Sequence, residues 1–111
     1  MFEEKDKDNL LGILEATGKI KEYISNIKNA DIFFKSSVIF DAVLMNFVVI
    51  GEMVDRISLE FKEENPQIDW FKIKAFRNIV AHDYFGVDAE EVWQICKKDI
   101  VELEKRINEI I

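Results

Sequence analysis

The sequence has few of the residues that cross-link a chain or end secondary structure. Its 111 residues include one cysteine, one proline and four glycines. A single cysteine excludes an internal disulfide, and no Cys/His cluster is present that could form a zinc site. So few turn-forming residues also exclude a sandwich or barrel of short strands. A composition of 49% hydrophobic and 33% charged residues is typical of a compact helical protein, and we expect one domain over residues 1–111.

Basic residues are scarce too. The chain has 15 Lys and Arg residues against 22 Asp and Glu residues, a net charge of −7. This balance argues against binding nucleic acid through a broad electropositive surface. Any nucleic-acid chemistry must therefore use a small local patch.

No targeting or membrane segment is evident. Residues Met1 to Asn9 are mostly charged, unlike a signal peptide. The longest apolar stretch, Ala42 to Gly51, contains Asn46 and falls short of the ~20 residues that a membrane span needs. We therefore expect a soluble cytoplasmic protein without a membrane partner.

Apolar residues spaced three and four apart predict four helices joined by short connections, an all-α up-and-down bundle. Residues 29–31 interrupt the first helix, and Ile32 to Phe34 form a short apolar connector. Asn65-Pro66 ends the second helix, and Asp69 and Asp88 have the spacing of N-caps. The predicted helices run from about Lys5 to Ile27, from Ser36 or Ser37 to about Glu64, from Asp69 to Ala81 or His82, and from Asp88 to the C-terminus. Cys96 lies on the apolar seam of the last helix, which favours a buried small hydrophobe over a reactive thiol.

The second predicted helix carries two apolar stripes where one would suffice to face a core. Either the helix is wholly internal to one bundle, or it also packs against a second chain. In a domain this small we favour the second chain, and hence a homodimer. The first stripe is Phe40, Val43, Phe47, Ile50, Val54, Ile57 and Phe61, and the second stripe is Val38, Ala42, Met45, Val49 and Met53.

The only histidine, His82, lies five positions after Arg77 and two before Tyr84. A helical wheel at ~100° per residue places four polar side chains on the face opposite the core: Lys74, Arg77, Asn78 and His82. A lone histidine near a helix end often only caps carbonyl groups, and an arginine on a solvated face is often merely solvated. Spacing alone does not decide between that interpretation and a site.

These side chains nevertheless suit chemistry on a phosphodiester. An imidazole with an ordinary pKa of ~6.5 exchanges protons near neutral pH. A guanidinium such as that of Arg77 holds phosphate oxygens bidentately. From Trp70 to Tyr84 the cations Lys72, Lys74 and Arg77 face one anion, Asp83, which predicts a local positive patch for a few phosphates.

The segment Arg77-x-x-x-x-His82-x-Tyr84 resembles the signature of the HepT-like ribonuclease toxins, which belong to the HEPN superfamily of helical domains. The likeness covers nearly the whole chain and includes four further segments in the family's order: 41–44, 50–52, 65–70 and 84–88. The resemblance implies a four- or five-helix bundle that dimerises with its motifs facing a shared cleft. It also implies endoribonuclease activity that needs no metal or cofactor.

The resemblance assigns roles to individual residues. It implies that Arg77 and His82 are catalytic, with Asn78 as the polar residue that often follows the arginine. A small nucleotidyltransferase antitoxin would silence the toxin by binding it and attaching AMP to Tyr84. Met45 departs from the pattern, since a basic residue is expected before Asn46. RNA binding would then be weak or would depend more on Lys74.

Two rival interpretations use the same residues. The chain could be a non-enzymatic partner subunit of a small nucleotidyltransferase, holding a nucleotide or serving as the modified substrate. It could also be a purely structural dimerisation bundle, which the motif makes the weakest reading.

Overall fold

The computed structural model describes residues 3–83, 86 and 88–111, with the side chains of 81–83 excepted. These residues form helices and connecting turns without a strand, so the predicted all-α class is confirmed. A π-helical turn, Ile95–Asp99, joins the last two helices into one continuous rod. The helices are α1 (Glu4–Ile24), α2 (Ala30–Lys35), α3 (Ser37–Arg56), α4 (Leu59–Glu64), α5 (Trp70–Lys74), α6 (Phe76–Asp83), α7 (Ala89–Gln94) and α8 (Ile100–Ile110).

The central element is α3, which packs against α1, α2, α5 and α6. Every residue of the predicted first stripe is buried, from Phe40 to Phe61. Helix α1 also contacts α8, whose apolar residues Ile100, Leu103 and Ile107 are buried as well. Hydrophobic periodicity therefore identified the core correctly.

Helix α3 is also the one helix of the described residues that is long and apolar enough to cross a membrane, by length and composition. The sequence argument, which used the uninterrupted run Ala42 to Gly51, did not anticipate this. Phe47, Ile50 and Val54 of α3 are fully buried against neighbouring helices. The core helix of a soluble protein satisfies the same length and composition criteria.

The helix predicted up to Glu64 instead ends at Arg56. Ile57 is extended, and Ser58 restarts the chain as the N-cap of α4 by accepting a 3.1 Å hydrogen bond from the Phe61 N–H. The buried carboxylate of Asp6 accepts hydrogen bonds from both the N–H and the hydroxyl of Ser58. This long-range contact favours the break over a continuous helix.

The predicted connector at residues 32–34 is also helical, because it lies within α2, whose last residue is Lys35. Asn29 caps this helix by accepting from the Ile32 N–H at 2.9 Å. Phe33 is fully buried, with its ring 5.1 Å from that of Phe40 and 5.5 Å from that of Trp93. The apolar residues 32–34 therefore belong to a short helix held to the core by Phe33, and not to a linker.

Candidate functional site

The motif lies on two helices rather than the single one predicted. Asp69 caps α5 as expected, accepting from the Lys72 N–H at 3.0 Å. The chain turns at Ala75, whose carbonyl accepts from the Asn78 N–H at 3.0 Å, and α6 begins at Phe76. The side chains of Trp70, on α5, and Phe76, on α6, are buried. Both short helices are thus anchored separately to the core.

Arg77 lies against α3, not on the far side of its helix. A Cβ built on Gly51 would stand 2.7 Å from the Cβ of Arg77 and 3.3 Å from the carbonyl oxygen of Lys74. Arg77 directly follows the buried Phe76, and the missing side chain at Gly51 lets α3 approach closely enough to cover the Cβ of Arg77. The wheel placed Arg77 opposite the core because it could not include this approach.

Two acidic residues of α3 bind the two cations nearest this contact. Oε1 of Glu52 lies 2.7 Å from Nη1 of Arg77, and Oδ1 of Asp55 lies 2.8 Å from Nζ of Lys74. The hydrogen bond and the charge of Lys74 lower the pKa of Asp55 below its ordinary 3.8. The hydrogen bond and charge of Glu52 raise the pKa of Arg77. Two parallel ion pairs therefore join α3 to α5 and α6.

The positive patch predicted from residues 70–84 is consequently neutralised within the chain. Besides the two pairs to α3, Nζ of Lys72 lies 3.1 Å from Oδ1 of Asp99, in the π-helical turn. Counting charges along one segment missed partners that come from distant elements. Of these, only Glu52 carried a sequence signal, because it follows Gly51 in one of the segments that resemble the family.

The remaining predicted site residues are placed only in part. Asn78 is exposed on α6, one position after Arg77. The backbone of His82 belongs to α6. The predictions for the His82 side chain and for Tyr84 lie outside the described residues. No group of three His, Cys, Asp or Glu side chains among the described residues converges as metal ligands.

The second stripe of α3 is only partly covered by this chain. Val38 is 82% exposed and Met45 is 62% exposed, whereas Val49 and Met53 are half-buried against the core. The alternative of a helix wholly enclosed by its own bundle therefore does not hold at Val38 and Met45.

Comparison with known proteins gives a consistent result. The sequence pattern described as Ribonuclease HepT-like matches residues 13–110. A gamma-glutamylcyclotransferase and candidate RNase of Methanocaldococcus jannaschii is 37% identical over 99 residues, covering 89% of this chain but only 44% of that protein. A candidate RNase of Caldanaerobacter subterraneus subsp. tengcongensis is 33% identical over 99 residues, covering 89% of this chain and 88% of the relative. A candidate HepT ribonuclease of Thermococcus cleftensis is 33% identical over 104 residues, 94% of each chain. No solved structure is a significant match.

Proposed function

The chain belongs to the HepT-like ribonuclease family, and from this premise we propose that it is a metal-independent endoribonuclease, the toxin of a toxin–antitoxin pair. The observation that carries the proposal is the placement of Arg77, held at its Cβ by Gly51 and at its guanidinium by Glu52 while a third of the side chain stays exposed. An arginine fixed in this way is suited to bind a phosphate of RNA.

The proposed reaction is attack of a ribose 2′-oxygen on the adjacent phosphorus. One His82 removes the 2′-proton, the new P–O bond forms, and the bond to the 5′-oxygen breaks. A second imidazole gives that oxygen a proton, leaving a 2′,3′-cyclic phosphate and a 5′-hydroxyl. Arg77 stabilises the added negative charge, with Asn78 and Lys74 as supporting contacts to RNA.

One histidine cannot act as base and acid at the same moment, which supports a homodimer with His82 from each copy at a shared cleft. The exposed Val38 and Met45 of α3 supply apolar surface for such an interface. Light scattering at micromolar concentration is expected to give twice the chain mass, and Met45→Glu is expected to reduce it. A monomer mass for the wild type would remove the basis for a shared cleft.

Cleavage of an RNA oligonucleotide in EDTA tests the activity. Arg77→Ala and His82→Ala are each expected to lower the rate by ~10²–10⁴-fold. Arg56→Ala, which removes an exposed arginine of α3, is the matched control and should cleave like the wild type. Circular dichroism must show unchanged helix content, because loss of fold would make either residue structural.

One structural observation favours a second candidate function. Lys72, Lys74 and Arg77 each have an acidic partner, so little uncompensated positive charge faces an RNA strand. A non-enzymatic partner subunit of a small nucleotidyltransferase would not need such charge. Wild-type protein that is free of trace nuclease and does not cleave RNA would favour this function over the first.

The proposed control is AMP attachment to Tyr84 by a nucleotidyltransferase antitoxin. The spacing of the motif predicts that a bulky phosphate on Tyr84 would lie near Arg77, where its size and its charge would block RNA. Mass spectrometry after incubation with antitoxin and ATP should show added AMP on Tyr84, and Tyr84→Phe should escape silencing. Modification at Tyr23, which packs partly against the core, would contradict the proposal. We also propose a cytoplasmic location, because the proposed RNA substrate and antitoxin would both be found there.

A further inference from the structure

Consecutive residues of α3 hold the two ends of the Arg77 side chain. Gly51 contacts its Cβ, and Glu52 binds its guanidinium through one short contact to Nη1. We propose that Glu52 is a positioning residue for Arg77, fixing the guanidinium for phosphate without occupying the edge that phosphate needs. This inference rests on the proposed ribonuclease function and extends it to a residue outside the motif.

The number of donors on the guanidinium allows Arg77 to bind both groups. A guanidinium has five N–H donors, and Glu52 accepts from Nη1. No other side chain of the described residues accepts from this guanidinium. The edge formed by Nε and Nη2 has the parallel geometry with which arginine binds a phosphate bidentately. Glu52 therefore leaves Arg77 a complete phosphate-binding edge.

Fixing both ends of the side chain matters because arginine is long and flexible. A solvated guanidinium loses much rotamer freedom when it binds a substrate, and that loss opposes binding in the transition state. The backbone of α6 fixes the Cβ of Arg77, and the hydrogen bond from Nη1 to Glu52 restrains the side-chain torsions between Cβ and the guanidinium. The guanidinium is then ordered before RNA arrives, as preorganised electrostatic stabilisation requires.

Position also separates Glu52 from Asp55, another acidic residue of α3. Asp55 stands one turn further along the helix and binds Lys74 instead of Arg77. Removing Asp55 therefore changes the local charge by the same amount without releasing the guanidinium. An acid that merely competed with RNA for Arg77 would lower affinity, and its removal would strengthen binding and speed cleavage. A positioning residue has the opposite effect on rate.

The kinetic test uses the full chain with Glu52→Ala, Glu52→Gln and the control Asp55→Asn, measuring kcat and KM for metal-free cleavage of an RNA oligonucleotide. We expect Glu52→Ala to lower kcat by about 10- to 100-fold with a smaller change in KM. Glu52→Gln should recover much of the loss, because its amide oxygen still accepts from Nη1. Asp55→Asn should keep kcat near that of the wild type. A higher kcat/KM in Glu52→Ala would overturn the proposal in favour of competition.

A second measurement does not depend on activity. The ¹⁵N guanidinium signals of Arg77, assigned with Arg77→Lys, should show slowed rotation in the wild type, fast rotation in Glu52→Ala and intermediate behaviour in Glu52→Gln. Fast rotation in the wild type would overturn the positioning role even if RNA is cleaved. Slowed rotation in a protein that does not cleave RNA would instead contradict the ribonuclease function. It would still confirm the contact between Glu52 and Arg77.

Discussion

The hydroxyl of Ser58 donates a 2.7 Å hydrogen bond to Oδ2 of Asp6, joining residues 52 positions apart. The N–H of Ser58 donates to the other carboxylate oxygen at 2.8 Å, and Asp6 is only 3% exposed. The same hydroxyl oxygen accepts from the Phe61 N–H. One carboxylate near the start of α1 thus fixes the residue that caps α4, and with it the place where the long α3 segment ends.

We expect Asp6→Ala to lower the free energy of unfolding by about 1–3 kcal/mol, because it leaves two donors of Ser58 without their buried acceptor. Urea unfolding followed by circular dichroism measures the change. Asp8→Ala, which removes an exposed aspartate of the same helix, should stay within about 0.5 kcal/mol of the wild type. Equal effects of the two substitutions would mean that the contact with Ser58 contributes nothing.

Gly51→Ala should destabilise the protein by about 1–3 kcal/mol, since overpacking forces neighbouring atoms to move. The added Cβ would stand 2.7 Å from that of Arg77, so α3 and α6 must separate. Gly18→Ala on α1 is the matched control. It meets open space and should stabilise the helix by about 0.5–1 kcal/mol. Thermal melts that move in the same direction for both variants would contradict the close contact.

Sequence periodicity predicted most of the fold because burial leaves a repeating signal. The stripe from Phe40 to Phe61 was recognised even though the chain breaks within it at Ile57 and Ser58. The break itself was not predictable, because it depends on a hydrogen bond from Ser58 to Asp6, far away in sequence. Short helices such as α2 are also hard to recognise, since six residues hold too few apolar positions to show a period.

The identity of the site residues stays a prediction, whereas the positive charge predicted for their segment was wrong. Arg77 and Lys74 stood out from their spacing and from the resemblance to a family. Their partners Glu52 and Asp55 belong to another helix, so counting charges along the motif gave a positive patch where the folded chain has ion pairs. Gly51 allows α3 and α6 to approach each other closely. The sequence alone does not show which residue packs against a glycine inside a helix.

The Lys74–Asp55 pair predicts a specific acid titration. Lys74 lowers the folded-state pKa of Asp55, so the contribution to stability is complete above the ordinary value of 3.8 and is lost as pH falls through the lower folded value. An NMR titration of the Asp55 carboxyl carbon should show its midpoint below 3.8, rising in Lys74→Ala. Lys72→Ala, whose cation pairs with Asp99, should leave that midpoint in place. A wild-type midpoint at or above 3.8 would contradict the pair.

Cys96 should be unreactive in the folded protein. Burial raises the pKa of its thiol to about 12, so the reactive thiolate is nearly absent at pH 8. A thiol reagent should label the native chain far more slowly than the chain in denaturant. The reagent reports only this residue, because the sequence has no other cysteine. Rapid labelling of the native chain at pH 8 would instead show that the helix around Cys96 separates from its neighbours.

The raised pKa of Cys96 also predicts how stability depends on high pH. Above the ordinary pKa of 9.0 the thiol of the unfolded chain ionises before that of the folded chain, so the free energy of unfolding should fall as pH rises from there towards about 12.

The two ends of Arg77 respond differently to ionic strength. Its contact with Glu52 joins side chains that are 33% and 42% exposed, and the Debye length shrinks from ~10 Å at 0.1 M salt to ~3 Å at 1 M. The packing of its Cβ on Gly51 involves no charge and is not screened. Concentrated salt would therefore weaken the ion pair between Arg77 and Glu52, while the start of α6 remains packed against α3. The backbone around Arg77 would therefore be the same at low and high salt, whereas the guanidinium would be ordered at low salt and mobile at high salt.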